Sequence, residues 1–324
     1  MGDVVLTTLL LRCLRKLSDI EIHFLTKIEY QDILLHNPHI DRLLCFDGDL
    51  KETARRLRKN QYDYIIDLHK NLRSYALRTM LTRSTLSFDK KTWQTWIYFQ
   101  TGLNKPKYEN RAVSFLNSAS RLGVVNDGEG LDFFMDPDAK APVSSSQIDV
   151  PQIALVMGGT YSSKRIPDHV IEAIIQNDSF HFHLLGGKDV SNYGKGIERS
   201  NVTNHVNRTN LHESARVLEM ADLVVTGDTG LMHVAAALRK RILVIWAGTA
   251  PILGYYPYFG ETSGLKHESI EVKDLDCRPC SKYGRNSCPK KHFNCLKMLD
   301  TVLIQKKIED MISSNHRRLP SLEY

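Results

Sequence analysis

The sequence predicts an α/β fold built from two doubly wound, Rossmann-like halves. The chain has 324 residues, too many for one ordinary core and enough for two halves of about 150 residues each. Short β-branched and apolar runs alternate with segments of helical periodicity along most of its length, the pattern of a mostly parallel sheet covered by helices. From Asp136 to Val150 that alternation lapses into Pro137, Pro142 and Ser144-Ser145-Ser146, the composition of a connector that does not pack. The halves are therefore set at residues 1–148 and 149–324.

In the first half, strands are expected at 21–26, Arg42–Phe46, 62–68 and 85–88. Leu6, Leu9, Leu10, Cys13, Leu14 and Leu17 recur at helical spacing, as do Leu50, Ala54 and Leu57, with the stem of Arg58 along the edge of the stripe. The second series of strands falls at 153–157, His181–Leu185, 202–206, Leu223–Thr226 and Ile242–Trp246, with helices at 167–176, Leu211–Met220 and 231–238 between them. A last helix, 299–314, carries Ile304, Ile308, Met311 and Ile312 on one face, which is free to return and pack on the first half. At the other end something is missing. The first strand of a Rossmann-like half normally delivers the chain to its first active-site loop, yet Gly2-Asp3-Val4-Val5 reads as a strand-to-helix turn with no strand ahead of it. The first sheet is expected to lack its leading strand, by truncation.

Composition narrows the function classes. At 42% hydrophobic and 25% charged the chain lies in the globular range, and no apolar run approaches the roughly 20 residues that cross a bilayer. The N-terminus lacks the basic and apolar stretches of a secretory signal, so a cytoplasmic location is expected. A net charge of +6 suits an anionic partner, whether nucleic acid, phosphorylated lipid or nucleotide. The clusters at Arg55, Arg56, Arg58 and Lys59, at Lys90 and Lys91, and at Lys290 and Lys291 each have acidic or apolar neighbours and read as solvated faces. No nucleic-acid partner is expected.

The strongest local signal is residues 221–238, where Leu223-Val224-Val225-Thr226 turns through Gly227-Asp228-Thr229-Gly230 into the Ala-rich stretch Leu231-Met232-His233-Val234-Ala235-Ala236-Ala237. A buried strand that turns into a helix leaves free N–H groups and the positive end of the helix dipole at the C-terminal edge of the sheet, where a diphosphate fits. Asp228 or Thr229 can serve as N-cap, and His233 taken alone is a packed histidine. A second loop, Met157-Gly158-Gly159-Thr160-Tyr161-Ser162-Ser163-Lys164, carries a lysine and hydroxyls suited to diphosphate oxygens, although a solvated lysine is the plainer reading of this loop by itself. Gly186-Gly187-Lys188-Asp189 offers an acid within reach of a ribose, on a weak signal. In the first half, Asp3 stands at the opening turn and the polar group His69, Lys70, Asn71, Arg73 and Ser74 follows a strand. Transfer of a sugar to a hydroxyl needs a base and positive charge on the departing diphosphate; Asp3 can supply the first, Lys164 and the Gly230 helix the second. Helix capping is the alternative role for Asp3.

Taken as an ordered set, Gly2-Asp3-Val4-Val5-Leu6-Thr7-Thr8, Asn37-Pro38-His39-Ile40-Asp41, residues 62–74, the loop from Thr160 to Lys164 and Asp228-Thr229-Gly230-Leu231-Met232-His233 resemble glycosyltransferase family 9, which contains the ADP-heptose:lipopolysaccharide heptosyltransferases. The resemblance spans nearly the whole chain, and Asp-Thr-Gly-Leu-x-His is its most specific part. It implies a GT-B fold, inverting and metal-independent transfer, and a donor cleft between the halves. By position it makes Asp3 the catalytic base, Thr160 and Lys164 diphosphate contacts, Asp228 to His233 the donor-binding turn, and Arg73, Asn71 and His69 acceptor contacts. The departures are the missing first strand, Leu9 in place of proline, and a poor match at Gly187-Lys188-Asp189. The implied partners are a nucleotide sugar, ADP-heptose foremost, and an anionic lipid-linked saccharide, reached by peripheral contact with the inner membrane face. A sugar-nucleotide epimerase of the same architecture and a non-catalytic binding protein are the alternatives.

Four of the six cysteines cluster at Cys277, Cys280, Cys288 and Cys295, with His292 among them. The density suits a structural zinc site, and so does the Cys277/Cys280 spacing, but the later spacings are irregular. Reduced, packed thiols and no cofactor are the preferred reading. Cys13 and Cys45 fall in apolar patterns and are expected in the core.

Overall fold

The computed structural model describes residues 1–102, 108–142, 148–194 and 196–316; Ser144, Ser145 and Ser146 of the expected connector lie outside them. The second half holds a six-stranded parallel sheet in the order β10 (Glu268–Glu271), β9 (Ile242–Trp246), β8 (Leu223–Thr226), β5 (Gln152–Val156), β6 (His181–Leu185), β7 (Val202–Asn204). The chain builds this sheet outward from β5 in both directions, the doubly wound order, and the winding reverses between β5 and β8. Every residue of β5, β8 and β9 is buried, as the unbroken apolar runs require of strands covered on both faces.

One face is covered by α7 (Asp168–Ile175) and α12 (Thr301–His316), whose apolar residues join one core with Ile153, Leu155, Leu223 and Val225. The other face carries α9 (Leu211–Met220) and α10 (Gly230–Ala237). The final helix thus corrects the expectation that it returns to the first half. Ile304, Ile308, Met311 and Ile312 pack on α7 and the larger sheet, and Gln305 donates to the Ala173 carbonyl at 2.7 Å. The apolar stripe found its complement in the Val170, Ile171 and Ile174 face of α7, and four such burials contribute on the order of 2 kcal/mol each. Two short helices, α8 (Ser191–Gly194) and α11 (Asn294–Lys297), lie in connections.

The first half begins with α1 (Gly2–Leu6) and α2 (Thr8–Arg15). Its strands form two separate parallel ladders: β1 (His23–Lys27) pairs with β2 (Arg42–Phe46), and β3 (Tyr64–Asp67) pairs with β4 (Ser84–Ser87). Helices α3 (Leu50–Arg58) and α4 (Leu72–Leu81) pack on each other, while α2 packs on α6 (Arg111–Asn117). Asp49 caps α3 by accepting from Lys51 and Glu52 backbone N–H groups. Arg12 of α2 binds Asp127 and Asp132 at 2.8 and 2.5 Å, which fastens the helix to the segment leading out of the half.

A single hydrophobic core runs from α2 and α6 through α1 into α10 and the larger sheet. The junction is tight. A Cβ on Gly2 would lie 2.9 Å from the His233 ring, and one on Gly230 would lie 2.5 Å from the Met1 sulfur. Only glycine at these two positions lets the starts of α1 and α10 meet. Beyond the predicted elements stand α4, α5 (Thr92–Thr101), α6, the short helices α8 and α11, and the edge strand β10. No helix among the described residues is long and apolar enough to cross a membrane.

Candidate donor and acceptor site

The point where the winding reverses brings together the loops that leave β5 and β8, the standard crevice of such sheets. After β8, Gly227 passes so close to the other loop that a Cβ would collide with the Lys164 carbonyl oxygen. Thr229 caps α10, its hydroxyl accepting from the Met232 N–H at 3.2 Å. The cap left open between Asp228 and Thr229 is therefore Thr229. Asp228 turns instead to Lys164, with Nζ 3.0 Å from Oδ2; the carboxylate is 5% exposed and the lysine 18%. A cation beside the positive end of an eight-residue helix is a combination whose chemistry suits an anion.

The lysine is held from outside by the Cys-rich segment. Ser163 exchanges backbone and hydroxyl bonds with Arg285 at 3.1 and 2.8 Å, and the Ser162 N–H donates to Asn286 Oδ1 at 3.1 Å. Gly284, at φ +94°, leaves space that a Cβ would take from the Lys164 stem at 2.8 Å. Arg278 anchors the same segment to the end of β9 through the carbonyls of Trp246, Ala247 and Thr249. Cys295 is buried, Cys277 lies 3.9 Å from His292 Nε2, and Cys288 accepts from the Phe293 N–H. Among the described residues no three His, Cys, Asp or Glu side chains are gathered as a metal site.

Not every predicted donor residue faces the crevice. Thr160 is exposed on the loop and Leu231 is half-buried, but Met232 is fully buried in the shared core, and its N–H is already taken by the cap. His233 is 2% exposed, beneath Gly2, and its Nδ1 has no partner among the described residues. Burial first, then Lys164 and the chain's ammonium, push its pKa down to about 3, so it is a neutral spacer at the junction. Asp189 accepts from the Gly159 N–H at 2.7 Å and lies 3.6 Å from Arg165. It locks the Gly158-Gly159 loop with the oxygen that would otherwise meet a ribose.

Across the junction, Asp3 is exposed in the first turn of α1 and makes no hydrogen bond or ion pair among the described residues. Its charge and that of Lys164 both act on the ammonium of Met1, which puts the carboxylate and the lysine at one mouth. On the same side, buried Asp67 organises the loop after β3, accepting from the N–H groups of His69 and Lys70 at 3.1 and 2.7 Å and from the Ser74 hydroxyl at 3.0 Å. Asn71 forms a capping box with Ser74 at the start of α4, so its amide oxygen is committed to the helix. His69 and Arg73 are exposed. Burial and the nearby Lys90 hold the His69 pKa below the usual histidine range.

Sequence reasoning passed over the most unusual charge at this mouth. Arg111 is 2% exposed, and among the described residues all three of its guanidinium nitrogens lack a hydrogen-bond partner. It lies over the rings of Phe88, Tyr108 and Tyr255 at 5.2, 5.8 and 5.1 Å. Lys282 stands over Tyr108 and Tyr283, its pKa pushed down to about 8 by burial and then by Arg111 and Lys90, against a raising contribution from Asp3. Nothing in the neighbourhood of Arg111 in sequence marks it; the signal is its burial without a partner, which exists only in three dimensions.

The family model described as glycosyltransferase family 9 (heptosyltransferase) matches residues 51–286. The chain is 23% identical over 279 residues to lipopolysaccharide heptosyltransferase 1 of Campylobacter coli, covering 77% of this chain and 82% of that protein. Among solved structures, a glycosyl transferase family 9 protein from Veillonella parvula aligns with a TM-score of 0.73 at 20% identity, over 97% of this chain and 94% of that one. The E. coli ADP-heptose lps heptosyltransferase II aligns at 0.71 and 16% identity, over 97% and 96%. At these identities the structures establish a shared GT-B fold, as the sequence led us to expect.

Proposed function

The chain belongs to glycosyltransferase family 9, and from that premise, which sets aside the epimerase and binding-protein alternatives, we propose that this glycosyltransferase moves a heptose from ADP-heptose to an anionic lipopolysaccharide core acceptor. The observation that carries the reading is the meeting of the α1 and α10 starts, with an unengaged carboxylate, Asp3, on one side and the Lys164–Asp228 pair on the other. The ADP diphosphate docks on the first turn of α10 and Lys164, with the hydroxyl of Thr160 beside it. An acceptor hydroxyl attacks the anomeric carbon from the face opposite the diphosphate and gives its proton to Asp3. The bond from that carbon to the diphosphate oxygen breaks, ADP leaves with the electron pair, and the configuration inverts. Lys164 and the helix dipole stabilise the charge that grows on the leaving group. No step requires a metal.

The acceptor side is cationic. Arg111, Lys282, Lys90 and Arg73 surround the approach to Asp3, and the partnerless guanidinium of Arg111 suits a phosphate or carboxylate. Trp93 and Trp96 of α5 are 77% and 56% exposed next to Lys90 and Lys91. An aromatic surface rimmed by lysine is the composition of a membrane-interface contact, which supports a lipid-linked acceptor and a cytoplasmic enzyme working at the inner membrane face. The test is calorimetry with ADP and turnover with ADP-heptose. Asp3→Ala is expected to abolish transfer and leave ADP binding within about twofold. Turnover of that variant at the parent rate overturns the base assignment, and ADP bound away from α10 overturns the donor site.

A further inference from the structure

The segment that steadies Lys164 does not stop there. Over residues 282–286 it runs from the donor lysine to the loops of the acceptor side. At one end Asn286 and Arg285 bind Ser162 and Ser163, and Gly284 lies against the Lys164 stem. At the other, Lys282 crosses to the first half, where its Nζ donates to the Lys90 carbonyl at 3.2 Å. The base of the segment is fixed to the second half by Arg278 at the end of β9 and by the Cys280 N–H, which donates to the Gly248 carbonyl at 3.2 Å.

The contact is handed on inside the first half. Lys90 Nζ donates to the Lys70 carbonyl at 2.9 Å, and Lys70 Nζ donates to the Phe88 carbonyl at 3.3 Å. The two lysines thereby tie the loop after β4 to the loop after β3, whose His69 and Lys70 N–H groups are gathered by Asp67. A ladder of two four-residue strands gives its end loops little sheet to lean on, so such ties decide where the loops stand. Lys282 is also costly where it is. After burial, the strongest influences on its ammonium are two other cations, Arg111 and Lys90, and it rests over the Tyr108 and Tyr283 rings at 5.2 and 5.7 Å. A half-buried cation among like charges works against the fold, a departure that natural chains tolerate at functional positions.

We propose that Lys282 is a positioning residue of the transfer reaction: through residues 283–286 on one side and Lys90 and Lys70 on the other, it holds the acceptor loops at a fixed distance from Lys164. The kinetic part of this proposal rests on the glycosyltransferase reading; the structural part needs no substrate. A misplacement of about 1 Å between reacting groups costs about 100-fold in rate, so loops set loose are read as lost turnover with donor binding intact.

The experiment compares Lys282→Met and Lys282→Arg with the parent in the full chain. Amide hydrogen exchange without ligand is followed by mass spectrometry over residues 67–71 and 88–91, with β5 and β8 as reference. Lys282→Met is expected to speed exchange in both loops by at least about fivefold, and Lys282→Arg, which keeps a cationic donor, by less than about twofold. The melting temperature of the methionine variant is expected to hold or rise, because a cation leaves the vicinity of Arg111 and Lys90. With ADP-heptose and a de-O-acylated lipopolysaccharide core, the same variant is expected to lose at least about tenfold in kcat while the Kd for ADP stays within about twofold, and arginine to restore most of the rate. Unchanged exchange, faster exchange in one loop alone, a melting temperature that falls with turnover, or a raised acceptor KM at unchanged kcat overturns the proposal. If the parent itself transfers no heptose, the functional reading fails, and the exchange measurement still decides whether Lys282 holds the loops.

Discussion

Replacing Lys164 with methionine separates the ion pair that the structure shows from the diphosphate contact that the proposed function assigns to the same side chain. The Lys164 ammonium lies 3.0 Å from an Asp228 carboxylate that is 5% exposed. At an effective dielectric near 20 the bare attraction is about 5 kcal/mol, and loss of one partner from such a buried pair costs about 3–5 kcal/mol because the other charge is stranded. For a protein of this size that is a fall in melting temperature on the order of 10 °C. The same substitution removes a charge-assisted bond to the ADP diphosphate worth about 1.5–3 kcal/mol, a weakening of about 10- to 100-fold in Kd. Adding Asp228→Asn removes the stranded charge, so the double variant is expected to recover most of the melting temperature and none of the ADP affinity. Calorimetry and thermal melts on the two variants decide the matter. Recovery of both properties together, or a single variant that melts with the parent, refutes the division of labour.

Acid should weaken the fold before it titrates carboxylates. Burial pushes His183 down to about 4 and His233 to about 3 from an ordinary 6.5, so between those values and 6.5 the unfolded chain binds protons that the folded chain refuses. Stability is fully present above pH 6.5 and falls as pH drops toward 4, by about 2–4 kcal/mol between pH 6.5 and 5; equal unfolding midpoints in denaturant at the two pH values contradict this. Trp246 is fully buried while Trp93 and Trp96 are exposed, so a blue shift of emission on adding phosphatidylglycerol vesicles reports α5 directly. It is expected with anionic vesicles, absent with phosphatidylcholine alone, and lost in Trp93→Ser/Trp96→Ser; a shift that survives in that variant places the contact elsewhere. Arg12→Met leaves Asp127, whose carboxyl Arg12 and Lys16 hold well below the usual range, with Lys16 as its remaining cation, and should cost about 1.5–3 kcal/mol in chemical denaturation, with a loss under about 1 kcal/mol counting against the clamp.

What was legible in the sequence follows from how strongly each residue's neighbours are local. Arg42–Phe46, His181–Leu185, Leu223–Thr226 and Ile242–Trp246 were read to the residue, because each is a short, mostly apolar run bounded by turn residues or a change of period. The bend from Thr226 to Gly230 was readable for the same reason. Helix α5 was not, since Trp93, Trp96, Ile97, Tyr98 and Phe99 place apolar groups all round and leave no period to detect. Strand β10 shows one apolar residue, Ile270, at a sheet edge. For α12 the apolar stripe was visible, but a stripe does not name its partner, and the choice between the halves was settled by the facing surface of α7. Arg111 and Lys282 carry no motif, and Asn71 and Asp189 showed their polar character without revealing that a helix cap and a loop backbone had already claimed them.

The continuous core that passes from α2 through α1 into α10 has a consequence for anyone who would divide the protein. A fragment starting at residue 149 would bare the outward side of α10, with Met232 and His233 suddenly wet, and a fragment ending at 148 would lose the surface against which Val5 and Leu6 now rest. Neither piece carries a finished exterior. Heating is therefore expected to melt both halves in one step.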